Sequence, residues 1–276
     1  DETLSVAVSL SNRYLHTRYQ PDKAIDLLDE AAAMRMAQAK PNAKVNLKPL
    51  DIQTAVAKMA QVPAHHITTS DRGLLRNLET KLKKRVFGQD HAISELVKAI
   101  KLSRSGLKIE SKPIGSFLFS GPTGVGKTEL AMQLSETLGV KLARFDMSEY
   151  MERHDASRLI GAAPGYVGFD QGGMLTEAVI KDPHSIILLD EIEKAHPDVL
   201  NLLLQVMDYG TLTDNSGRTA NFRDCIIIMT SNIGAECYSG QDVGFLDQMH
   251  QSDGEQAIKG RLTPEFRNRI DAIIQF

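Results

Sequence analysis

The chain has 276 residues, 42% of them hydrophobic and 24% charged, with a formal net charge of −3. That apolar fraction supplies core for more than one folded unit. The slightly acidic balance excludes a protein that coats nucleic acid through a global positive charge, and no apolar run approaches the ~20 residues that span a bilayer. The opening, DETLSVAVSL, lacks the basic start and long apolar stretch of a secretory leader, and it carries no initiator Met, which fits a piece of a longer chain. Cys225 and Cys237 show no metal-ligand spacing, so a reducing compartment such as the cytoplasm is expected.

In chain order, the first forty residues read as helical. In QPDKAIDLLDEAAAMRMAQ, Pro21 and Asp22 suit a first turn. Ala24, Ile25, Leu28, Ala32 and Met36 then recur at helical spacing and predict the buried stripe. The two prolines of KPNAKVNLKPL interrupt the pattern; a short helix is expected from Asp51 to near Pro63. Ser70 is placed to cap another, with Leu74, Leu78 and Leu82 on one stripe. Residues 1–69 therefore read as a small all-helical unit, and 70–276 as a second unit.

Asp90 to Gly106 reads as an amphipathic helix with a glycine just past its end. Short apolar runs then alternate with helical patterns. SFLFS (Ser116–Ser120), SIILLD (Ser185–Asp190) and CIIIMTSN (Cys225–Asn232) read as strands buried on both faces, with KLARFD (Lys141–Asp146) and DAIIQF (Asp271–Phe276) as weaker strands. The alternation predicts an α/β class: a mostly parallel sheet of these five strands with helices on both faces.

Between the first strand and the helix LAMQLSETLG lies Gly121, Pro122, Thr123, Gly124, Val125, Gly126, Lys127 and Thr128, a G-x-x-x-x-G-K-[ST] loop in the strand–loop–helix context that motif needs. Glycines let successive backbone N–H groups curl around a phosphate, and the helix N-terminus adds about half a positive charge. Lys127 supplies a full charge to the terminal phosphates, and the Thr128 hydroxyl suits Mg²⁺. The strand SIILLD ends in Asp190, followed by Glu191. At the carboxyl end of a parallel sheet, Asp190 faces the phosphates as a Mg²⁺ holder and Glu191 orients the attacking water. Asn232, closing another strand, suits the water or the terminal phosphate; a cap or turn fits its spacing equally well. A triphosphate and Mg²⁺ are the implied ligands.

Over essentially its whole length the chain resembles the Clp family of AAA+ protein unfoldases. The resemblance rests on GPTGVGKTEL, FDMSEYMERH, GAAPGYVGFDQGG, LLDEIEKAHPDVLNLLLQVMDYGTLTD and TPEFRNRID, which match that family's second ATPase module, and on YQPDKAIDLLDEA, which matches the end of the first module's helical lid. It implies an AAA+ three-layer core preceded by a remnant of that lid. Val86 and Phe87 match the adenine-contact segment. Gly165, Tyr166, Val167 and Gly168 match the channel loop that grips unfolded or tagged polypeptide by an aromatic ring. Tyr209 to Ala220 resembles a second channel loop, with a plain surface turn as its equal. Arg269 matches the arginine finger that reaches a neighbour's ATP in a ring of six; a surface pair with Glu265 or Asp271 is the reading from the residues alone. Val243, Gly244 and Phe245 match the tip that docks a ClpP-like peptidase.

That tip, and the lack of a long coiled coil near the first lid, favour the protease-coupled branch over the disaggregases. Adaptor proteins fit this reading. The acidic charge and neutral aromatic loop speak against a nucleic-acid motor. The family's second lid and first nucleotide-binding core are not in the sequence, so weak nucleotide binding and little hydrolysis are expected of these 276 residues alone.

Overall fold

The six-residue apolar runs of the sequence become the centre of a five-stranded sheet in the computed structural model, which describes residues 2–15, 19–38, 46–60, 71–104, 111–161, 172–232, 260 and 262–276. The chain forms two units, Asp1–Leu74 and Leu75–Phe276. No helix among the described residues is long and apolar enough to cross a membrane.

The first unit packs α1 (Glu2–Tyr14), α2 (Asp22–Gln38) and α3 (Pro49–Met59) around Ala7, Leu27, Ala31, Ile52, Ala55 and Val56. The stripe expected on α2 is rotated. Ala24, Leu27 and Ala31 are buried, whereas Ile25 is 56% and Met36 is 63% exposed. This helix carries Ala, Leu, Ile or Met on more than one face, so spacing alone does not choose between them; the contacts with α1 and α3 do. Helix α3 also begins two residues before the expected Asp51. Pro49 fills the first turn, where a missing N–H costs nothing, and the Lys48 N–H donates to Asp51 Oδ2 at 2.8 Å.

Helix α4 (Asp71–Lys83) buries Leu78 and Leu82 in the core of the second unit; Ser70 lies outside the described residues. Helix α5 (Asp90–Leu102) buries Ala92, Ile93, Leu96, Val97 and Ile100; the glycine expected just past its end, Gly106, lies outside the described residues. The remaining strands are β1 (Gly115–Ser120), β2 (Lys141–Asp146), β3 (Ser185–Asp190), the antiparallel pair β4 (Thr211–Thr213) and β5 (Thr219–Asn221), β6 (Ile226–Ser231) and β7 (Ala272–Gln275). The sheet is parallel in the order β2-β3-β6-β1-β7, as the alternation of strands and helices predicts.

Every side chain of β1, β3 and β6 is buried, and neighbours alternate between two cores. Phe117, Phe119, Ile186, Leu188, Ile226 and Ile228 face α4, α5 and α6 (Lys127–Leu138). Leu118, Ile187, Leu189, Ile227 and Met229 face the opposite layer, built on α7 (Arg153–Ala156), α8 (Met174–Lys181) and α9 (Pro197–Tyr209). A sheet covered on both sides needs apolar residues at every position, which explains the unbroken runs. Cys225, just before β6, is fully buried, and that burial raises its thiol pKa to about 11. The last short helix, α10 (Pro264–Arg267), is capped by Thr263 and plants Phe266 under the sheet.

The strands do not all end together. The β2–β3 ladder runs to Asp146↔Asp190 and the β1–β6 ladder to Ser120↔Ser231, but the β3–β6 ladder stops at Leu189↔Met229. Strands β3 and β6 thus part at their carboxyl ends, where an open parallel sheet places its ligands.

Candidate nucleotide site

Three glycines shape the loop between β1 and α6. Gly121, Gly124 and Gly126 all have positive φ, at 149°, 83° and 101°. A side chain at Gly121 would strike the Phe276 carbonyl oxygen at 2.8 Å, whereas nothing lies within 4 Å of a Cβ at Gly124 or Gly126. The loop is therefore open on the Gly124–Gly126 side, where its backbone can approach a ligand, and closed at Gly121 against Phe276, the residue after β7. Gly126 also forms the N-cap of α6, putting the positive end of that helix at the opening.

Lys127, 7% exposed, turns its ammonium inward. It donates to Gly121 O at 2.5 Å, Pro122 O at 2.8 Å and Asn232 Oδ1 at 2.9 Å. Burial lowers its pKa, and the carboxylates of Glu193, Asp190 and Glu191 oppose that shift without cancelling it. A cation so placed, with three carboxylates nearby and only neutral acceptors bonded to it, is suited to a more strongly charged partner.

The carboxylates line the parted ends of β3 and β6. The Thr128 hydroxyl donates to Asp190 Oδ1 at 3.2 Å, and Thr230 Oγ1 donates to the same atom at 2.8 Å. Arg144, on β2, bonds Asp190 Oδ2 through Nε at 2.7 Å. Asp190 is 5% exposed, and each of these bonds is donated to its carboxylate. A buried carboxylate beside a threonine hydroxyl, behind a glycine loop, is a donor set suited to Mg²⁺ bridging to phosphate. Among the described residues Glu191 alone, apart from glycines, has positive φ, at 56°. Its carboxylate accepts from Asn232 Nδ2 at 3.0 Å and pairs with Lys194 at 2.6 Å, an interaction that raises the Lys194 pKa. The Asn232 side-chain amide thus joins Lys127 to Glu191, and the main-chain N–H of Asn232 donates to Glu193 Oε1 at 2.9 Å.

Loop, cation, both carboxylates and terminal amide expected from the sequence therefore meet at one place. Val86 is buried in the core, while Phe87 is 83% exposed. Their segment is tied to the site by Gln89 Nε2, which donates to Val125 O at 3.2 Å, and by Arg85, which bonds Gln133 and Glu136 on α6. Arg269 pairs with Asp208 at 2.6 Å and with Glu265 at 3.2 Å, and donates to Glu265 O at 2.8 Å. The other suggested partner, Asp271, instead accepts from the Ser116 N–H at 2.7 Å. Gly165, Tyr166, Val167 and Gly168, and also Val243, Gly244 and Phe245, lie outside the described residues.

Four site residues escaped the sequence reading: Arg144, Thr230, Glu193 and Lys194. For the first two the one signal was parity. Arg144 precedes Asp146 by two on its strand and Thr230 precedes Asn232 by two, so each pair shares a face. The segment Tyr209–Ala220 proves to contain the β4–β5 hairpin, whose turn grips both flanks of residues 162–171. Asn215 bonds Ile160 O and Gly161 O, Asp214 accepts from Thr176, and Arg218 reaches Glu177.

Taken together, the parallel sheet, the glycine loop with its lysine, and the Asp–Glu pair at the parted strands define a P-loop nucleotide-binding α/β protein. The AAA domain family (Cdc48 subfamily) matches residues 112–273, and the AAA lid domain family matches residues 1–85. The chain belongs to the Clp-type AAA+ ATPases.

It is 54% identical to the ClpA homolog protein of Fuscovulum blasticum, covering 100% of this chain and 35% of that one. It is 42% identical to the ClpC/MecB negative regulator of genetic competence of Bacillus subtilis and 40% identical to the chaperone protein ClpB of Oceanobacillus iheyensis, each over 100% of this chain and 42% of the relative. Among solved structures, a closed-state reconstruction of Hsp104 with ATPγS and FITC casein matches with a TM-score of 0.83 at 38% identity, over 100% of this chain and 48% of that one. The chain thus spans between about a third and a half of the relatives it matches.

Proposed function

We propose that this module hydrolyses ATP and uses the energy to unfold and thread polypeptide through a hexameric ring into a ClpP-like peptidase. The observation that carries the ATPase reading is the meeting of Thr128 and Asp190 directly behind a glycine loop open at Gly124 and Gly126. The family assignment and the relatives' names support the rest.

In this reading the loop amides and Lys127 hold the phosphates, while Val86 and Phe87 flank the base. Thr128 and Asp190 would hold Mg²⁺, which when bound supplies a positive charge that shields the phosphates and stabilises the leaving oxygen. Glu191 aims a water at the terminal phosphate and accepts its proton, and Asn232 keeps that carboxylate in place. Arg269, now paired with Asp208 and Glu265, is available to a neighbouring subunit once those pairs open. The Tyr166 loop grips substrate, and Val243–Phe245 docks the peptidase. A disaggregase without a peptidase is the second reading, favoured by the likeness to ClpB and Hsp104.

Two changes in the full-length protein test this. Glu191→Gln is expected to bind ATP as before and to lose this module's turnover; unaltered turnover would remove Glu191 from the mechanism. Deleting Val243–Phe245 is expected to abolish peptidase-coupled degradation and spare ATPase activity. Degradation that survives the deletion selects the second reading.

A further inference from the structure

The carboxylates Asp190 and Glu191 lie where β3 has left β6, beyond the last rung at Leu189↔Met229. The β2 ladder still reaches Asp190, but with no rung to β6 on the other side, something else must set how the chain leaves β6 and turns at Glu191. Glu191 is in the left-handed region at φ 56°, ψ 53°, a conformation that a residue with a Cβ keeps only where its surroundings over-determine it.

We propose that Thr230 is a positioning residue for both carboxylates, its hydroxyl standing in for the missing rung and setting Glu191 relative to Asp190. This rests on the reading of Asp190 and Glu191 given above.

The geometry uses the capacity of one hydroxyl: a single O–H donor and two lone pairs. The proton goes to Asp190 Oδ1 at 2.8 Å, and a lone pair accepts the main-chain N–H of Glu191 at 3.0 Å. Thr230 is 3% exposed, so water is poorly placed to replace either bond. Its role differs from those of Asn232 and Lys194, which hold only the tip of the Glu191 side chain. Thr230 holds the main chain from which that side chain springs. Asp190 has two further partners, Arg144 and Thr128, so losing the hydroxyl leaves it anchored, while the Glu191 N–H loses the acceptor recorded for it. The consequence falls on orientation of the water-activating carboxylate rather than on nucleotide affinity.

Thr230→Val keeps the shape and removes the hydroxyl; Thr230→Ser restores it. Both are made in the full-length protein, where turnover removed by Glu191→Gln defines the share of this module. In that share, Thr230→Val is expected to lower kcat about tenfold to a hundredfold. Kd for ATPγS, titrated with and without Mg²⁺, is expected to change less than about threefold, and Thr230→Ser to stay within about threefold of wild type on both counts. A Val variant within about twofold of wild-type kcat overturns the proposal. So does a Ser variant that falls as far as Val, or a loss of ATPγS binding as large as the loss of turnover, since either makes Thr230 a packing residue of β6. Failure of the underlying reading is seen separately: Glu191→Gln then leaves turnover intact before any Thr230 variant is compared.

Discussion

Replacing Lys127 by Met separates what the buried cation does for folding from what it does for the ligand. Without nucleotide, Lys127 Nζ satisfies Gly121 O, Pro122 O and Asn232 Oδ1, and losing such bonds costs about 1–3 kcal/mol where water cannot replace them. Against this stands the burial of the charge, which outweighs the nearby carboxylates, since the Lys127 pKa is lowered. A lowered lysine pKa means the unfolded chain binds the extra proton, so this group's contribution to stability rises as pH climbs toward its ordinary range. The two effects oppose, and the nucleotide-free variant should unfold within about 1 kcal/mol of wild type.

Binding should change far more. A hydrogen bond to a charged group contributes about 1.5–3 kcal/mol, or roughly a tenfold to 150-fold rise in Kd. At ligand equal to about a hundred times the wild-type Kd, wild type gains about 2.7 kcal/mol and the variant only about 0.3–1.4 kcal/mol. For the unit Leu75–Phe276, each kcal/mol moves Tm by roughly 2–4 °C, so a ligand-induced shift of about 5–11 °C falls to about 1–6 °C. Thermal unfolding with and without ATPγS reads both halves. Equal ligand-induced shifts in the two proteins would refute the placing of Lys127 on the phosphates, and a nucleotide-free loss above about 3 kcal/mol would refute the charge balance.

Two further outcomes follow from the packing. Leu27→Ala should destabilise the first unit by about 2–5 kcal/mol, whereas Ile25→Ala, on the exposed face of α2, should stay within about 0.5 kcal/mol; chemical denaturation read by circular dichroism distinguishes them. At the base of the β4–β5 turn, burial pushes the Asp214 carboxyl up, but the main-chain N–H and guanidinium of Arg218 outweigh it and hold the pKa below the usual carboxylate range. Its stabilisation is therefore complete above the ordinary carboxylate pKa and is lost as pH falls below it. Asp214→Asn should cost about 1–3 kcal/mol at neutral pH, a gap that stays level down to pH ~5 and closes only in stronger acid. A gap that does not begin to narrow as pH falls below the ordinary carboxylate range would contradict this.

Much of the site was legible because it is built from contiguous residues. Gly121 to Thr128 states its own chemistry: positive φ demands glycine, phosphate demands backbone N–H groups, and one lysine follows at the helix start. Asp190, Glu191 and Asn232 were legible because an apolar run that stops at a polar residue marks the end of a buried strand. The five strands and their parallel order class were written in runs with no polar gap, since a sheet covered on both faces tolerates none.

Long-range pairing was not legible. Nothing in the sequence says that Arg144 closes on Asp190, that Glu193 receives the Asn232 N–H, or that Arg269 spends its charge on Asp208; each pair spans strands or helices brought together only by folding. The buried face of α2 was likewise undecided, because alanines and leucines ring that helix and only contact with α1 and α3 selects a side. The sequence by itself determined which groups can hold a triphosphate, since that depends on backbone freedom and charge within one loop. Only the tertiary structure decided how β3 and β6 part beyond Leu189 and Met229, and so where Glu191 points, because that is set by a hydroxyl on a different strand.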